Sequence, residues 1–236
     1  MSLLPVCILA GGVGSRLGDT VAETPKPLLE VAGKPFLRWQ LELLRDHGAR
    51  RIVLCVGYLG EQIEQAIGAG HDLGMEIHYA YDPPELAGTG GAVRGALPLL
   101  DDAFFVLYGD TYLRIDHTAV QHAFQASDCP ALMTVLRNHG RWDTSNATFD
   151  GRRVFYDKRN PPDGAEWIDY GLGAMRADAL DISDDPDLAG VYEELSRRGE
   201  LAGFEATQRF HEIGTPEALA ETDAFLRGLD SYPRRP

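Results

Sequence analysis

Val6-Cys7-Ile8-Leu9-Ala10-Gly11-Gly12-Val13-Gly14-Ser15-Arg16-Leu17 runs from an apolar segment straight into a glycine-rich turn. Residues 5–9 (PVCIL) have the unbroken apolar character of a strand buried on both faces. Glycines directly after a strand let backbone N–H groups approach a ligand closely. Successive N–H groups in such a turn form a concavity for anions, and Arg16 adds a planar fork of donors that matches phosphate oxygens. Two other phosphate loops are excluded. No Gly-Lys-Ser/Thr is present, so this is not a P-loop. A dinucleotide loop needs glycine three residues after Gly14, and that position holds Leu17.

Outward from this turn, strand-like runs alternate with helical patterns. The helical reading of 35–47 (PFLRWQLELLRDH) places Phe36, Trp39, Leu43 and Leu44 on one side, with Pro35 in the first turn and Gly48 as the stop. Strands follow at 51–56, 75–81 and 103–108, with helices at 61–67 and 91–100 between them. Such alternation implies an α/β protein with a mostly parallel sheet covered on both faces, a three-layer αβα arrangement. Ligands in these sheets sit at the carboxyl ends of the strands, where the glycine turn and Gly109-Asp110 both fall.

The second half is more β-like, with strands at 131–137, 147–149, 153–157 and 167–175. Asp150-Gly151 is a hairpin signal, and a closing helix covers 215–229. We find no repeat, low-complexity tract or linker. The expected organisation is one catalytic domain over 1–230 and a frayed tail at 231–236.

The 236 residues carry a formal net charge of -14, with 44% hydrophobic and 25% charged residues. A chain of this size buries a core without staples. An anionic protein gains nothing from the phosphate attraction behind nucleic-acid binding, so neither a polynucleotide nor an anionic membrane is expected as partner. No apolar run approaches the roughly 20 residues of a membrane span, and no basic region precedes the first apolar run as in a signal peptide. Cys7, Cys55 and Cys129 are odd in number and lack metal-ligand spacing. They read as buried free thiols of a cytoplasmic protein.

A second constellation is Thr24-Pro25-Lys26-Pro27. The two prolines fix their own φ and restrict the residue before each, so Lys26 is expected extended, outside any helix, on a rigid mount. Together, LAGGVGSRL and TPKPLLEVAGKPFL resemble the signature of sugar-1-phosphate nucleotidyltransferases. The resemblance implies the nucleotide-diphospho-sugar transferase (Rossmann-like) fold and extends over about 6–226. It also implies that Ala10, Gly11, Gly12, Gly14, Ser15 and Arg16 hold the triphosphate, and that Lys26 stabilises charge at the α-phosphate.

Further matches follow in the family's order. Leu86-Ala87-Gly88-Thr89-Gly90-Gly91-Ala92 is similar to its second nucleotide loop, with Ala87 as an extra residue, which assigns Gly88 and Thr89 to base and ribose. Tyr108-Gly109-Asp110 resembles the strand end that brings Gly109 to the nucleotide and Asp110 to Mg²⁺. Glu212, in Phe210-His211-Glu212-Ile213-Gly214-Thr215-Pro216, stands where the family's second metal aspartate is usual. Tyr156-Asp157-Lys158 resembles the strand whose lysine grips the sugar phosphate. Ile168-Asp169-Tyr170-Gly171 resembles the strand lining the sugar pocket, assigning Asp169, Tyr170 and Gly171, with Asn146 beside them.

The resemblance implies a nucleoside triphosphate and a sugar 1-phosphate as substrates, Mg²⁺ as cofactor, an NDP-sugar and pyrophosphate as products, and a place in cell-surface polysaccharide synthesis. A homo-oligomer is compatible with it. The string from Gly33 through Gly91, running into GTGGAV at 88–93, is most similar to heptose-1-phosphate guanylyltransferases, with Asp82 or Glu85 facing the guanine donor edge. A uridylyl or cytidylyl enzyme, a phosphocholine cytidylyltransferase and a non-catalytic NDP-sugar-binding regulator remain open alternatives.

Overall fold

The computed structural model describes residues 2–12, 17, 23–82 and 88–230. Strand β1 (Val6–Leu9) comes first, and a 3-10 turn at Lys26–Leu28 leads to the short pair β2 (Glu30–Val31) and β3 (Lys34–Pro35). Then come α1 (Phe36–Asp46), β4 (Arg51–Val56), α2 (Gly60–Ile67), β5 (Glu76–Tyr81), α3 (Gly88–Ala96), β6 (Ala103–Tyr108), β7 (Thr111–Tyr112) and α4 (His117–Ala126). The second half holds β8 (Ala131–Arg137), β9 (Ala147–Phe149), β10 (Val154–Tyr156), β11 (Trp167–Arg176), α5 (Leu188–Arg197), β12 (Leu201–Ala206), β13 (His211–Glu212) and α6 (Pro216–Asp230).

The main sheet is nine-stranded and mixed. Strand β1 lies between β4 and β6, parallel to both, and β5 extends the parallel set beyond β4. Strand β11 pairs antiparallel with β6 and with β8, and β12 lies parallel to β8. From β1 the chain moves one way to β4 and β5, then returns to the other side at β6. That reversal makes the carboxyl end of β1 a topological switch point, where such sheets open a crevice for ligands.

Alternation along β1 shows why both faces are covered. Val6 and Ile8 pack with Leu37 and Leu41 of α1, Ile63 of α2 and Val120 of α4. Cys7 points the other way, against Val93 of α3 and Val191 and Leu195 of α5. Successive side chains of a strand face opposite sides, so a strand apolar at every position needs helices on both. Burying each such side chain stabilises the fold by about 1.5–3 kcal/mol; a charge at Ile8 would break the layer it anchors. Helix α6 closes a smaller cluster, with Leu226 packed among Phe36, Trp39, Tyr112 and Ile213.

The α/β class and the expected strands are present, and several local expectations need correction. Helix α1 begins at Phe36, and Pro35 stands at its N-cap with ψ 137°, ending β3. Helix α3 begins at Gly88, three residues before the expected start, because the Pro186 carbonyl accepts from Gly90 N (2.7 Å) and Gly91 N (3.1 Å). That acceptor comes from a distant segment and organises a glycine-rich stretch that would not start a helix unaided. Lys26 is not extended: Pro25 is, with ψ 137°, and Lys26 opens the 3-10 turn, its carbonyl accepting from Leu29 N at 3.1 Å. Pro27 is tolerated there because the first N–H groups of a turn have no internal partner. The structure adds to the expected elements helices α4 and α5, strand β12 and the short pairs β2–β3 and β7–β13. The three cysteines are free and buried.

Candidate active site

The carboxyl ends of β1, β4 and β6 converge on a cavity of about 370 Å³ lined by Ala10, Gly11, Gly12, Lys26, Asp82, Gly88, Thr89, Gly109 and Asp110. These nine come from five segments between Ala10 and Asp110. Leu9, Pro27, Cys55, Ala92, Tyr108 and Asp187 complete the wall. Gly14, Ser15, Arg16 and Glu85 lie outside the described residues, as do Leu86, Ala87 and the tail 231–236.

Close packing explains two of the glycines, and open space a third. A Cβ on Gly11 would stand 2.8 Å from Asp82 Oδ2 and 3.0 Å from Gly57 N. One on Gly109 would stand 2.6 Å from Leu9 O, the same carbonyl that accepts from Gly109 N at 3.0 Å. The end of β1 thus packs against the segments after β4 and β5 on one side and after β6 on the other. Among the described residues a Cβ on Gly12 would meet nothing within 4 Å, and Gly12 lies on the cavity wall.

Lys26 Nζ donates to Asp110 Oδ2 at 2.7 Å, and Thr111 Oγ1 donates to Asp110 Oδ1 at 3.0 Å. The loop carrying Asp110 is clamped from below. Gln40, buried in α1, donates through Nε2 to the carbonyls of Tyr108 (3.0 Å) and Thr111 (2.7 Å), bracketing Gly109-Asp110. On the far side Ile213 N donates to Asp110 O at 3.1 Å, and β13 pairs antiparallel with β7, setting Glu212 opposite Thr111. Thr222 of α6 donates its hydroxyl to Glu212 O at 2.6 Å, and the Glu212 carboxylate folds back over Gly214, where a Cβ would be 2.6 Å from Oε2. Asp110 lies on the cavity wall and Glu212 does not; Mg²⁺ takes one or two carboxylates and fills its remaining positions with phosphate oxygens and water, so Asp110 alone meets its minimum need. Asp110 would hold it, and Glu212, joined to the same loop through the pairing of β13 with β7, stands next to that segment.

None of the residues assigned to the sugar side lies on the cavity wall. Strand β11 carries a bulge between Asp169 and Gly173: four residues of β11 advance past two of β8. Within it Gly171 has φ 97° and lies against Tyr108 and Thr111. Asp169 Oδ1 accepts from Gly171 N at 2.9 Å, and Asn146 Oδ1 accepts from Asp169 N at 3.3 Å. Burial pushes the Asp169 carboxyl up to about 6, with the Gly171 N–H and the Lys158 charge pulling the other way. Lys158 is exposed, its backbone N–H donating to Glu193 Oε1 at 3.1 Å. The phenols of Tyr108 and Tyr156 are raised above their ordinary value by burial, then by Asp169.

Tyr170 is not brought to this region. It packs in the core with Ile168, Leu172 and Ala174, its ring 6.3 Å from Phe210. Asp169 and Tyr170 are consecutive in a strand, so they face opposite sides. Sequence reading also missed Gln40 and Asp187. A signal existed for Gln40, a polar residue four from both Phe36 and Leu44 on the apolar face of α1. Nothing local marks Asp187 as part of the cavity.

A family model for the MobA-like NTP transferase domain matches residues 6–167. The chain is 33% identical over 229 residues to N-acetylmuramate alpha-1-phosphate uridylyltransferase of Neisseria meningitidis serogroup B, covering 92% of this chain and 96% of that one. It is 37% identical over 109 residues to D-glycero-alpha-D-manno-heptose 1-phosphate guanylyltransferase of Campylobacter jejuni, a match spanning 46% of this chain and 48% of that relative. Among solved structures, HddC from Yersinia pseudotuberculosis complexed with GMP-PN superposes with a TM-score of 0.76 at 24% identity, covering 95% of this chain and 100% of that one. The last likeness is one of fold.

Proposed function

This chain belongs to the MobA-like NTP transferase family, and from that premise we propose that it transfers a nucleotidyl group from a nucleoside triphosphate to a sugar 1-phosphate. A phosphate oxygen of the sugar 1-phosphate attacks the α-phosphorus, the new O–P bond forms, and the bond to pyrophosphate breaks. The observation that carries this reading is the Lys26–Asp110 pair in a cavity walled by the glycine turn, at the switch point of the sheet.

The acceptor needs no general base, because a phosphate monoester is largely a dianion near neutral pH, its second pKa being about 6. The barrier lies in bringing anions together and in stabilising charge at the α-phosphate, so catalysis is positioning plus electrostatics. Lys26 is 15% exposed, and its restricted environment leaves the ammonium less screened than a surface lysine. The open face of Gly12 admits phosphate oxygens to backbone N–H groups. By the family signature Arg16 joins them on the triphosphate, and Lys158 with Asp169 and Asn146 orients the acceptor. Asp110, with Glu212 by the family signature, would hold Mg²⁺, which would supply neutralisation of triphosphate charge there.

For the base and sugar, the proposed pair is guanylyl transfer to a heptose 1-phosphate. Support comes from the match to the heptose guanylyltransferase, confined to half of each chain. The match to the N-acetylmuramate uridylyltransferase runs over nearly the whole of both chains and favours uridylyl transfer as a second reading. The test is pyrophosphate release with Mg²⁺, crossing ATP, GTP, CTP, UTP and dTTP with a panel of sugar 1-phosphates that includes heptose, mannose and N-acetylmuramate. Release with a single pair names both substrates. Absence of release across the panel, with NDP-sugar binding intact, overturns the enzymatic reading in favour of a regulator.

A further inference from the structure

Asp187 occupies the N-cap position of α5, yet its side chain makes no cap to that helix. An aspartate here ordinarily accepts from the second or third N–H of its own helix. In this structure it lies instead on the wall of the active-site cavity, with Oδ1 3.5 Å from both the N and the Oγ1 of Thr89. Among the described residues, contacts of that length leave most of the carboxylate's accepting capacity unused. Thr89 in turn serves α5, its hydroxyl oxygen accepting from Leu188 N at 2.8 Å. The first turns of α3 and α5 are thus joined through one threonine.

The segment leading to Asp187 is tied down by Arg94 of α3. Its guanidinium donates to the carbonyls of Leu180 (3.0 Å), Ser183 and Asp185 (3.2 Å). A guanidinium presents five donors in a fixed plane, and here it gathers a turn of main chain into one shape. The Pro186 carbonyl then seats on Gly90 N and Gly91 N. Residues 180–187 form a strap fastened to α3 at both ends, with Asp187 as the part that faces the cavity.

A carboxylate facing a cavity that receives two phosphorylated substrates repels both, unless it accepts a hydrogen bond from a neutral donor on one of them. Hydroxyl groups are the donors both substrates carry, on the ribose and on the sugar. We propose that Asp187 is a specificity-determining residue accepting a hydrogen bond from a substrate hydroxyl, and that Arg94 is the positioning residue that holds it there. The proposal rests on the nucleotidyl-transfer reading of the cavity.

The experiment compares wild type, Asp187→Ala, Asp187→Asn, Arg94→Met and Arg94→Lys in pyrophosphate release. Each is assayed with the preferred triphosphate and its 2′-deoxy form, and with the preferred sugar 1-phosphate and its 2-deoxy form. Losing a hydrogen bond to a charged acceptor corresponds to about tenfold or more in kcat/KM. Asp187→Ala is expected to lose that factor for one hydroxylated substrate and to lose nothing for its deoxy analogue. Collapse of the nucleotide ratio assigns the ribose; collapse of the sugar ratio assigns the sugar. Arg94→Met should reproduce the collapse, mainly in KM, and Arg94→Lys should restore part of it.

Unchanged ratios in folded Asp187→Ala overturn the contact. A lower Tm with unchanged ratios in Arg94→Met overturns the positioning role and leaves a structural one. If wild type releases no pyrophosphate with any pair, the reaction reading fails separately. The contact is then tested calorimetrically with UDP-glucose, GDP-mannose and their 2′-deoxy and 2-deoxy-sugar forms. Equal discrimination by wild type and Asp187→Ala in that titration overturns it.

Discussion

Lys26 Nζ and Asp110 Oδ2 meet at 2.7 Å although 84 positions separate them in the chain. The pair joins the proline-mounted turn to the end of β6 and places an ammonium and a carboxylate on the same cavity wall. Removing the ammonium is expected to lower turnover by about 100-fold or more, the usual worth of such a charge stabiliser. Lys26→Met retains much of the side-chain bulk; its circular dichroism should match wild type while pyrophosphate release falls. Equal rates would remove Lys26 from the mechanism.

Gln40 predicts a different kind of loss. In Gln40→Leu the carbonyls of Tyr108 and Thr111 lose their donor. An unsatisfied buried carbonyl costs about 1–3 kcal/mol, so urea denaturation should show a drop of about 2 kcal/mol or more. Turnover should fall with it, because the Gly109-Asp110 loop is no longer clamped. Wild-type stability in this variant would refute the clamp.

The glycines separate packing from ligand access. Gly109→Ala drives a Cβ to 2.6 Å from Leu9 O and should destabilise by about 1–3 kcal/mol. Gly12→Ala meets no described residue within 4 Å and should melt at or above the wild-type temperature, since replacing glycine where the backbone permits stabilises by about 0.4–1 kcal/mol. Its nucleotide affinity should nevertheless fall in calorimetric titration, because the methyl enters the cavity. Undiminished affinity would move the phosphates away from Gly12.

Asp169 gives a signed pH dependence. Its folded pKa, about 6, lies above the ordinary carboxylate value because burial disfavours the charge. The folded state therefore holds the proton more tightly, and the associated stability is fully present below about 4 and lost as pH rises through 6. Asp169→Asn carries no charge in this window. The Tm difference between variant and wild type should grow in the variant's favour from pH 4 to pH 7; a constant difference would contradict the buried carboxylate.

His117 acts in the opposite direction. Burial, then the neighbouring His47, lowers its pKa to about 3, and the two Nδ1 atoms lie 2.7 Å apart. Only one of them can carry the proton in that contact. Stability tied to neutral His117 is present above about 6.5 and lost as pH falls toward 3. His117→Gln should flatten the acid limb of the stability profile measured by urea denaturation between pH 7 and pH 4; an unaltered limb would assign acid sensitivity elsewhere.

The sequence by itself determined the parts whose cause is local. The apolar run at β1 demands cover on both faces, and the strand–helix alternation puts parallel strands beneath the glycine turn. Gly11, Gly12, Gly109 and Asp110 follow strands directly, so their place at the carboxyl edge comes with the strands. Strand period also separates Asp169 from Tyr170, a consequence legible in the sequence once β11 is drawn.

Tertiary structure alone decided what depends on distant partners. The Gln40 clamp spans 68 and 71 positions, and the Thr89–Leu188 bond spans 99. The start of α3 waits on a carbonyl at Pro186, and Asp187 reaches the cavity because Arg94 shapes the strap before it. A hydrogen bond across such separations leaves no periodic trace in either segment. It exists only after the sheet has brought the segments together, and it sets the final geometry of the site.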